Sequence, residues 1–369
     1  MLIGIDASRA IVARRTGTEN YSLQVIRGLA HAGPEHRYRL YLREPAPPGL
    51  LPEGPNVEPV VLGPHRLWTH LGLAREMRRR PPEVLLVPAH VVPLIHPAGT
   101  VVTVHDVGYR FFPRQHTLLS RLYLDASTRY SCRAAQRVVA DSEATARDLA
   151  REYGIPPGKI TVVYPGLDPT FGRAGAPAQD AVRRRYLLPR PFVLYVGTIQ
   201  PRKNLVRLVE AWARLPSSWA SVDLVLAGQS GWLAAEVYRR VRQLGLEGRV
   251  RFPGYVAQED LPALFSAAEC FVMPSLYEGF GLPVLEAMAC GTPVVCSHAS
   301  SLPEVAGDGA LTVAPDDADA LAAAMRRVLV DGSLRDALRA RGLAWAKRFT
   351  WEETARRTAE VYRSVLEQA

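Results

Sequence analysis

The sequence predicts an α/β protein of two doubly wound halves, each a parallel sheet with helices on both faces, and three observations carry that expectation. Runs rich in Val, Ile and Leu alternate with helical patterns along the chain, and the runs are apolar at successive rather than alternate positions, as strands buried on both faces must be. The 369 residues exceed what one hydrophobic core usually supports, so two domains of roughly 170 residues each are expected. One stretch, "GRAGAPAQDAVRRRYLLPRP", breaks the rhythm with Gly, Ala, Pro and Arg.

In chain order, "LIGIDA", "RLYLR", "EVLLVPA", "TVVTVH", "RVVADS" and "ITVVYPG" are the strands of a first domain spanning residues 1–171. The Gly/Pro-containing stretch, 172–191, is a linker. The second domain, 192–350, takes "FVLYVGT", "VDLVLAG", "VRFPGY", "CFVMPS", "PVVCSH" and "LTVAP", and a helix over 351–369 closes the sequence. In "TIQPRKNLVRLVEAW", Leu205, Leu208, Val209 and Trp212 follow the spacing of an amphipathic helix, with Asn204 as its N-cap. Arg202 and Lys203 therefore sit at a positive helix end.

Composition narrows the function classes. An apolar share of 48% is that of a globular protein, and the longest apolar region is interrupted by Pro88, Pro93 and Pro97, which argues against a spanning helix. "MLIGIDAS" reads as a strand rather than a leader, so a cytoplasmic protein is expected. Cys132, Cys270, Cys290 and Cys296 form no CxxC pair and read as reduced core thiols. The net charge is +9, and the basic clusters "REMRRR" and "VRRRY" carry no interleaved aromatics, so nucleic acid is not an expected partner. Solvated helix faces are the first reading of those clusters; peripheral contact with an anionic membrane, or attraction of a phosphorylated acceptor, is the second. No GxGxxG follows a strand and no GxxxxGK[ST] occurs, so neither a dinucleotide nor a P-loop cofactor is expected.

Candidate chemical groups stand just past strand ends, where doubly wound folds bind ligands. His105 and Asp106 follow "TVVTV", "TIQPRKN" follows "FVLYVG", and "YEGFGLPVLEAMACGTPVV" follows "CFVMPS". In this last stretch Pro283 suits the first position of a helix and Gly291 the residue past its end. The amides of Gly279, Phe280, Gly281 and Leu282 then open the helix and can face an anion, while Glu278 and Glu286 flank them. Two carboxylates beside a phosphate would repel it unless each grips hydroxyl groups, as vicinal diols of sugars present them. A diphosphate with a sugar at each end, a nucleotide sugar, meets all of these demands. Taken singly, Glu278 and Glu286 read equally as surface charges, His105 as a hydrogen-bonded core residue, and Arg202 and Lys203 as solvated cations.

The segment "PSLYEGFGLPVLEAMACGTPVVCSHASSLPEVAGDGALTVAPDDADALAAAM", with "VGTIQPRKN" upstream, resembles the retaining nucleotide-sugar glycosyltransferases of family 4, mannosyltransferase-like branch. "DASRAIVARRTGTENYSLQV", "VTVHDVGYRFFP", "VVADSEATARDLAREYGIPPGKITVVYPGLD" and "FTWEETARRTAEVYRSVL" extend the likeness over nearly the whole chain. The resemblance implies the GT-B fold: two Rossmann-like domains facing a central cleft, acceptor on the first, donor on the second, and the final helix crossing back to the first. It implies that Glu286 grips the ribose hydroxyls and that Glu278, with the amides of Gly279, Phe280, Gly281 and Leu282, holds the donor sugar and its phosphates. Lys203 matches the diphosphate lysine; Thr198 stands where many members carry Arg, and Arg202 is expected to supply that charge. His105 matches a histidine near the donor sugar and Gly17 a glycine near the phosphate or acceptor. Recognition of the base is expected near Gly254, Tyr255 and Val256.

Metal-independent retaining transfer of a hexose follows, first mannose from GDP-mannose, to a saccharide or lipid-linked saccharide, with no cofactor. "PDDADALAAAM" contains a DxD, Asp317 to Asp319, read as a helix N-cap rather than a metal site. The rival readings are a nucleotide-sugar epimerase of the same fold and a non-catalytic nucleotide-sugar or anionic-lipid binding protein.

Overall fold

A computed structural model describes residues 1–12, 17–89, 91–115, 117–216, 219 and 221–367. The chain divides into two compact units, Met1–Gly166 with Phe349–Ala369, and Leu167–Arg348.

The first unit is built on seven strands: β1 (Leu2–Asp6), β2 (Arg37–Leu42), β3 (Val57–Val61), β4 (Val84–Val87), β5 (Thr100–Val104), β6 (Arg137–Ala140) and β7 (Ile160–Val162). They lie in the order β3-β2-β1-β4-β5-β6-β7, every pair parallel. Their side chains are buried on both faces at Ile3, Ile5, Val84 to Val87 and Val101 to Val104, because helices cover each face. The helices are α1 (Gly17–Ala32), α2 (Ala74–Arg79), α3 (Gly108–Phe111), α4 (Leu118–Ala134) and α5 (Glu143–Tyr153).

The second unit begins with α6 (Ala176–Arg185) and continues through β8 (Phe192–Val196), α7 (Leu205–Ala213), β9 (Asp223–Ala227), α8 (Ala235–Gln243), β10 (Val250–Gly254), α9 (Leu261–Ala267) and β11 (Cys270–Met273). Then follow α10 (Leu282–Ala289), β12 (Val294–Ser297), α11 (Leu302–Ala306), β13 (Ala310–Val313), α12 (Ala318–Val330) and α13 (Gly332–Ala346). The sheet order is β10-β9-β8-β11-β12-β13, again all parallel. Leu205, Leu208, Val209 and Trp212 are all buried, so the amphipathic reading of α7 holds. All four cysteines are free and buried.

The stretch expected to be a linker differs from that expectation. The contact boundary lies between Gly166 and Leu167, and residues 176–185 form helix α6, which buries Val182 in the second unit. Pro near its start costs nothing there and Ala favours it, so a loop-like composition hides a helix. The Phe349–Ala369 segment carries α14 (Trp351–Leu366), capped by the Thr350 hydroxyl, and buries Trp351, Ala355, Tyr362 and Val365 in one core with Ile3, Ile5, Ile26 and Leu29.

Candidate functional site

In the second sheet the strand order reverses between β8 and β11, so the crossovers from those adjacent strands lead away in opposite directions, and the carboxyl edge at such a reversal is where doubly wound sheets bind ligands. The loop after β8 crosses the one after β9 so closely that a Cβ on Gly228 would lie 2.0 Å from the Gly197 carbonyl oxygen. Only glycine fits there. Thr198 is exposed, and the short turn Pro201–Lys203 then lifts two cations to the edge. Asn204 precedes α7, as expected, but its side chain makes no cap. It adopts a left-handed conformation (φ 59°) that Asn tolerates, and its Nδ2 donates to the carbonyls of Pro274 at 3.0 Å and Pro315 at 2.6 Å, fastening the ends of three strands together. The Leu276 amide donates to the Arg202 carbonyl at 2.9 Å, tying the two loops directly.

Glu278 is where these loops converge. Lys203 Nζ donates to its Oε1 at 2.6 Å, and an Arg202 guanidinium nitrogen to its Oε2 at 3.2 Å and to the Tyr277 carbonyl at 3.0 Å. The carboxylate is buried, which by itself would favour the neutral acid, but the charges of Lys203 and then Arg202 outweigh burial and hold its pKa below the usual range. Two cations thus share one carboxylate.

The turn that follows leads into α10 through Gly281, whose φ of 109° and whose missing Cβ, 2.7 Å from Leu302, both demand glycine. Pro283 lies in the first turn of α10 and Gly291, in the left-handed region, follows its end. Two hydroxyls from the loop after β12 reach back to the turn. Ser300 Oγ donates to the Glu278 carbonyl at 2.6 Å; Ser301 Oγ donates to the Phe280 carbonyl at 2.6 Å and approaches that of Glu278 at 3.0 Å. Phe280 is buried and Leu282 half-buried. Glu286, one helical turn on and partly buried, has the opposite protonation bias to Glu278: burial and the negative charge of Asp168 push its pKa up to about 8. At the end of β10, Gly254 has φ 77°, Tyr255 is 65% exposed and Val256 is buried. Asp317 accepts from the Ala320 amide at 2.8 Å and so caps α12, as its reading as an N-cap requires.

Two site candidates, Gly17 and His105, belong to the first unit. Gly17 begins α1, and among the described residues nothing lies within 4 Å of where its Cβ would stand. His105 follows β5, whose Val104 pairs with Ala140 of β6, so the next residues along, His105 and Asp141, stand side by side. The ring is buried; its Nδ1 is 2.6 Å from Asp141 Oδ2 and its Nε2 2.8 Å from the Pro88 carbonyl oxygen. Both partners are acceptors, so satisfying both requires the doubly protonated ring. Burial opposes that charge, but Asp141 and the Pro88 carbonyl more than offset it and raise the His105 pKa. Tyr21 meets the ring edge-on at 4.8 Å. Asp141, Asp168, Ser300 and Ser301 were not singled out by sequence reasoning; for Asp141 the signal was present, since it follows its strand as His105 follows the adjacent one.

The structure thus brings Arg202, Lys203, Glu278 and the Gly279–Leu282 turn together at one strand edge, with Glu286 on the helix that the turn opens, and sets His105 and Gly17 in the other unit. Family models match both halves: one described as Glycosyltransferase Family 4 covers residues 15–171, and one described as Glycosyl transferases group 1 covers residues 179–345. The chain is 37% identical over 265 residues to the O-antigen chain mannosyltransferase B of Escherichia coli, spanning 71% of this chain and 70% of that protein. It is 38% identical over 255 residues to a D-inositol 3-phosphate glycosyltransferase of Kineococcus radiotolerans, spanning 63% of this chain and 58% of that one. Among solved structures, sucrose-phosphate synthase from Thermosynechococcus elongatus matches with a TM-score of 0.78 at 24% identity over 100% of both chains. WaaG, a glycosyltransferase involved in lipopolysaccharide biosynthesis, matches with a TM-score of 0.74 at 18% identity over 98% of this chain and 99% of that one. At those identities the structural likeness speaks for the fold.

Proposed function

The chain belongs to glycosyltransferase family 4 and has the GT-B fold, and from that premise we propose that it transfers a hexose, mannose first and GDP-mannose as its donor, to a saccharide or lipid-linked saccharide with retention of configuration. The observation that carries the donor assignment is the Lys203–Glu278–Arg202 cluster beside the glycine turn at the strand reversal, where two cations stand next to a turn that opens a helix. Its likeness to a mannosyltransferase supports the choice of sugar.

In this reading the diphosphate settles on the Gly279–Leu282 amides with Lys203 and Arg202 beside it, Glu286 accepts from the two ribose hydroxyls, and Tyr255 and Val256 lie near the base. The acceptor lies on the first unit. The bond from the anomeric carbon to the diphosphate oxygen breaks, the pair of electrons leaves with the phosphate, and the acceptor oxygen bonds to the same face. The acceptor proton passes to the departing phosphate oxygen. Lys203 and Arg202 stabilise the charge that grows there, which is where fixed cations lower a barrier most. The reaction as proposed needs no metal ion.

Incubating the protein with GDP-mannose, then with UDP- and dTDP-sugars, with and without a mannose-terminated oligosaccharide, tests the proposal. Release of nucleoside diphosphate that requires the oligosaccharide supports transfer. Sugar isomerisation without an acceptor would mark an epimerase, and donor binding without any release a binding protein.

A further inference from the structure

The basic cluster "REMRRR", in the first unit, is used by no step of the proposed reaction. A π turn, Thr69–Leu73, runs without a break into α2. Trp68, Leu73 and Met77 are buried in one core with Val92 and Cys132, so they mark the inner side of this run. The other side carries Leu71, which is 50% exposed, and Arg75, Arg78 and Arg79, all exposed. Leu67, immediately before it, is 70% exposed and has φ 51°, a left-handed conformation that disfavours any residue with a Cβ. A leucine that is both strained and open to water costs stability twice, and such an outlier points to a use outside the fold. Between Glu58 and Glu83 the chain has one carboxylate, Glu76, which is buried and ion-paired with Arg80 at 2.9 Å, so no acid of the segment is left to neutralise Arg75, Arg78 and Arg79.

The same side of the sheet carries α4. Side chains alternate between the faces of a strand, and Val84, Leu86 and Val101 pack in the core with α1 and α14, whereas Leu85, Val87 and Val102 pack in the core with Met77 of α2 and Cys132 of α4. The first turns of α4 expose Leu118, Leu119 and Leu122. Both helices follow strands of one parallel sheet, so both start toward its carboxyl edge, and their exposed leucines lie toward that edge. We propose that this face of the first unit docks peripherally on a lipid surface rich in anionic headgroups, with Leu67 and Leu71 entering the headgroup boundary and Arg75, Arg78 and Arg79 lying against the phosphates. Leucines on two helices with arginines beside them ask a partner for apolar depth and negative charge but for no matching shape, which a bilayer supplies. The arginine stems can follow the apolar boundary while their guanidinium groups reach phosphate. Among the described residues no helix is long and apolar enough to cross a membrane, and the proposed contact is with the surface alone. The inference goes beyond the sugar and donor proposed above and does not rest on them.

Sedimentation of the full chain with vesicles of phosphatidylcholine, and with vesicles of equal parts phosphatidylcholine and phosphatidylglycerol, reads the contact. The wild type should sediment with the anionic vesicles only, and less so as salt is raised. Changing Arg75, Arg78 and Arg79 together to Gln should weaken that binding about a hundredfold, the scale of three arginines at an anionic surface. Leu67→Gly removes an apolar side chain and relieves the backbone, so the protein should melt no lower yet bind about tenfold more weakly. Arg184 and Arg185, an exposed basic pair on α6 of the other unit, should leave binding almost unchanged when both become Gln. Wild-type binding to both vesicles alike or to neither, undiminished binding by the arginine and Leu67 variants, or an equal loss from the α6 pair would overturn the proposal. A chain that ignores both vesicles but doubles its mass in light scattering would overturn it too, and would show that the leucines cover a second copy.

Discussion

Glu286 allows the sharpest test of the donor site, because its resting state and its proposed task demand different protonation. Burial and Asp168 place its pKa at about 8, so at pH 7 about nine molecules in ten carry a neutral carboxyl there. Accepting both ribose hydroxyls, one on each oxygen, favours the carboxylate, because a protonated oxygen would itself donate and an ionised acceptor binds more strongly. Binding of a nucleoside diphosphate at pH 7 should therefore release close to one proton from this residue, at a cost of about 1.4 kcal/mol, and affinity should rise about tenfold per pH unit up to about pH 8 and then level off. Titrations in buffers of different ionisation enthalpy count the protons, and Glu286→Gln, which cannot release one, gives the baseline that cancels any contribution from the phosphate itself. The variant should also bind about 2 kcal/mol more weakly at pH 8, the scale of hydrogen bonds to a charged acceptor. The unliganded protein carries the complementary sign. A carboxyl raised from 4.5 to about 8 contributes stability below pH 4.5 that is lost as pH rises to about 8. Glu286→Gln should match the wild type near pH 4 and exceed it at pH 9, by about 5 kcal/mol from the full shift and nearer about 2 once partial exposure is allowed for. Equal proton release by the wild type and the variant would refute the ribose assignment, whatever the affinities.

Replacing Lys203 by Ala should cut turnover about a hundredfold in a folded protein, the cost of one charge contact to a leaving group, and near-normal turnover would reduce Lys203 to a partner of Glu278. Asn204→Ala should lower stability by about 2 kcal/mol, since two carbonyls lose their donor and Ala resists the left-handed backbone; Asn204→Gly, free of the second penalty, should lose less, and thermal melts of the pair decide it. Asp141→Asn should lower the His105 pKa toward or below 6.5, read from its imidazole resonances. The stability that the raised pKa contributes is present below pH 6.5 and lost as pH climbs through the raised value, so the variant's deficit should be largest in acid. An unmoved titration would show that the Pro88 carbonyl alone holds the proton.

The two sheets were legible because uninterrupted Val/Ile/Leu runs have one good solution, burial on both faces, and that solution puts every strand's carboxyl end on one edge. The candidates Lys203 and Glu278 could each be placed past a strand on that ground alone. Their ion pair could not, since 75 residues separate them and only the pairing of β8 with β11 in the sheet makes their loops neighbours. Asn204 was assigned to the right position and the wrong bonds: cap preference is local, whereas its donors are taken by carbonyls 70 and 111 residues away. The helix within 172–191 was hidden because Gly, Ala and Pro report local flexibility but not the packing of Val182 that fixes it. Ser300 and Ser301 left no trace at all in periodicity, for a hydroxyl that donates to a carbonyl on another loop has no spacing rule.

The first unit is written in two pieces, with the whole of the second unit between them. On the ribosome, this order inverts the expected sequence of maturation. The Met1–Gly166 piece emerges first but cannot complete its core, because Gly28 packs on Ala355 so tightly that a Cβ there would meet it at 2.7 Å, and Trp351 and Tyr362 fill space among Ile3, Ile26 and Leu29. The Leu167–Arg348 unit, continuous in sequence, can finish while that apolar face still waits. A premature stop at Phe349, just past the second unit, would therefore leave a sound second unit tethered to a sticky, unfinished first one, a species for chaperones and proteases to remove rather than a half-enzyme.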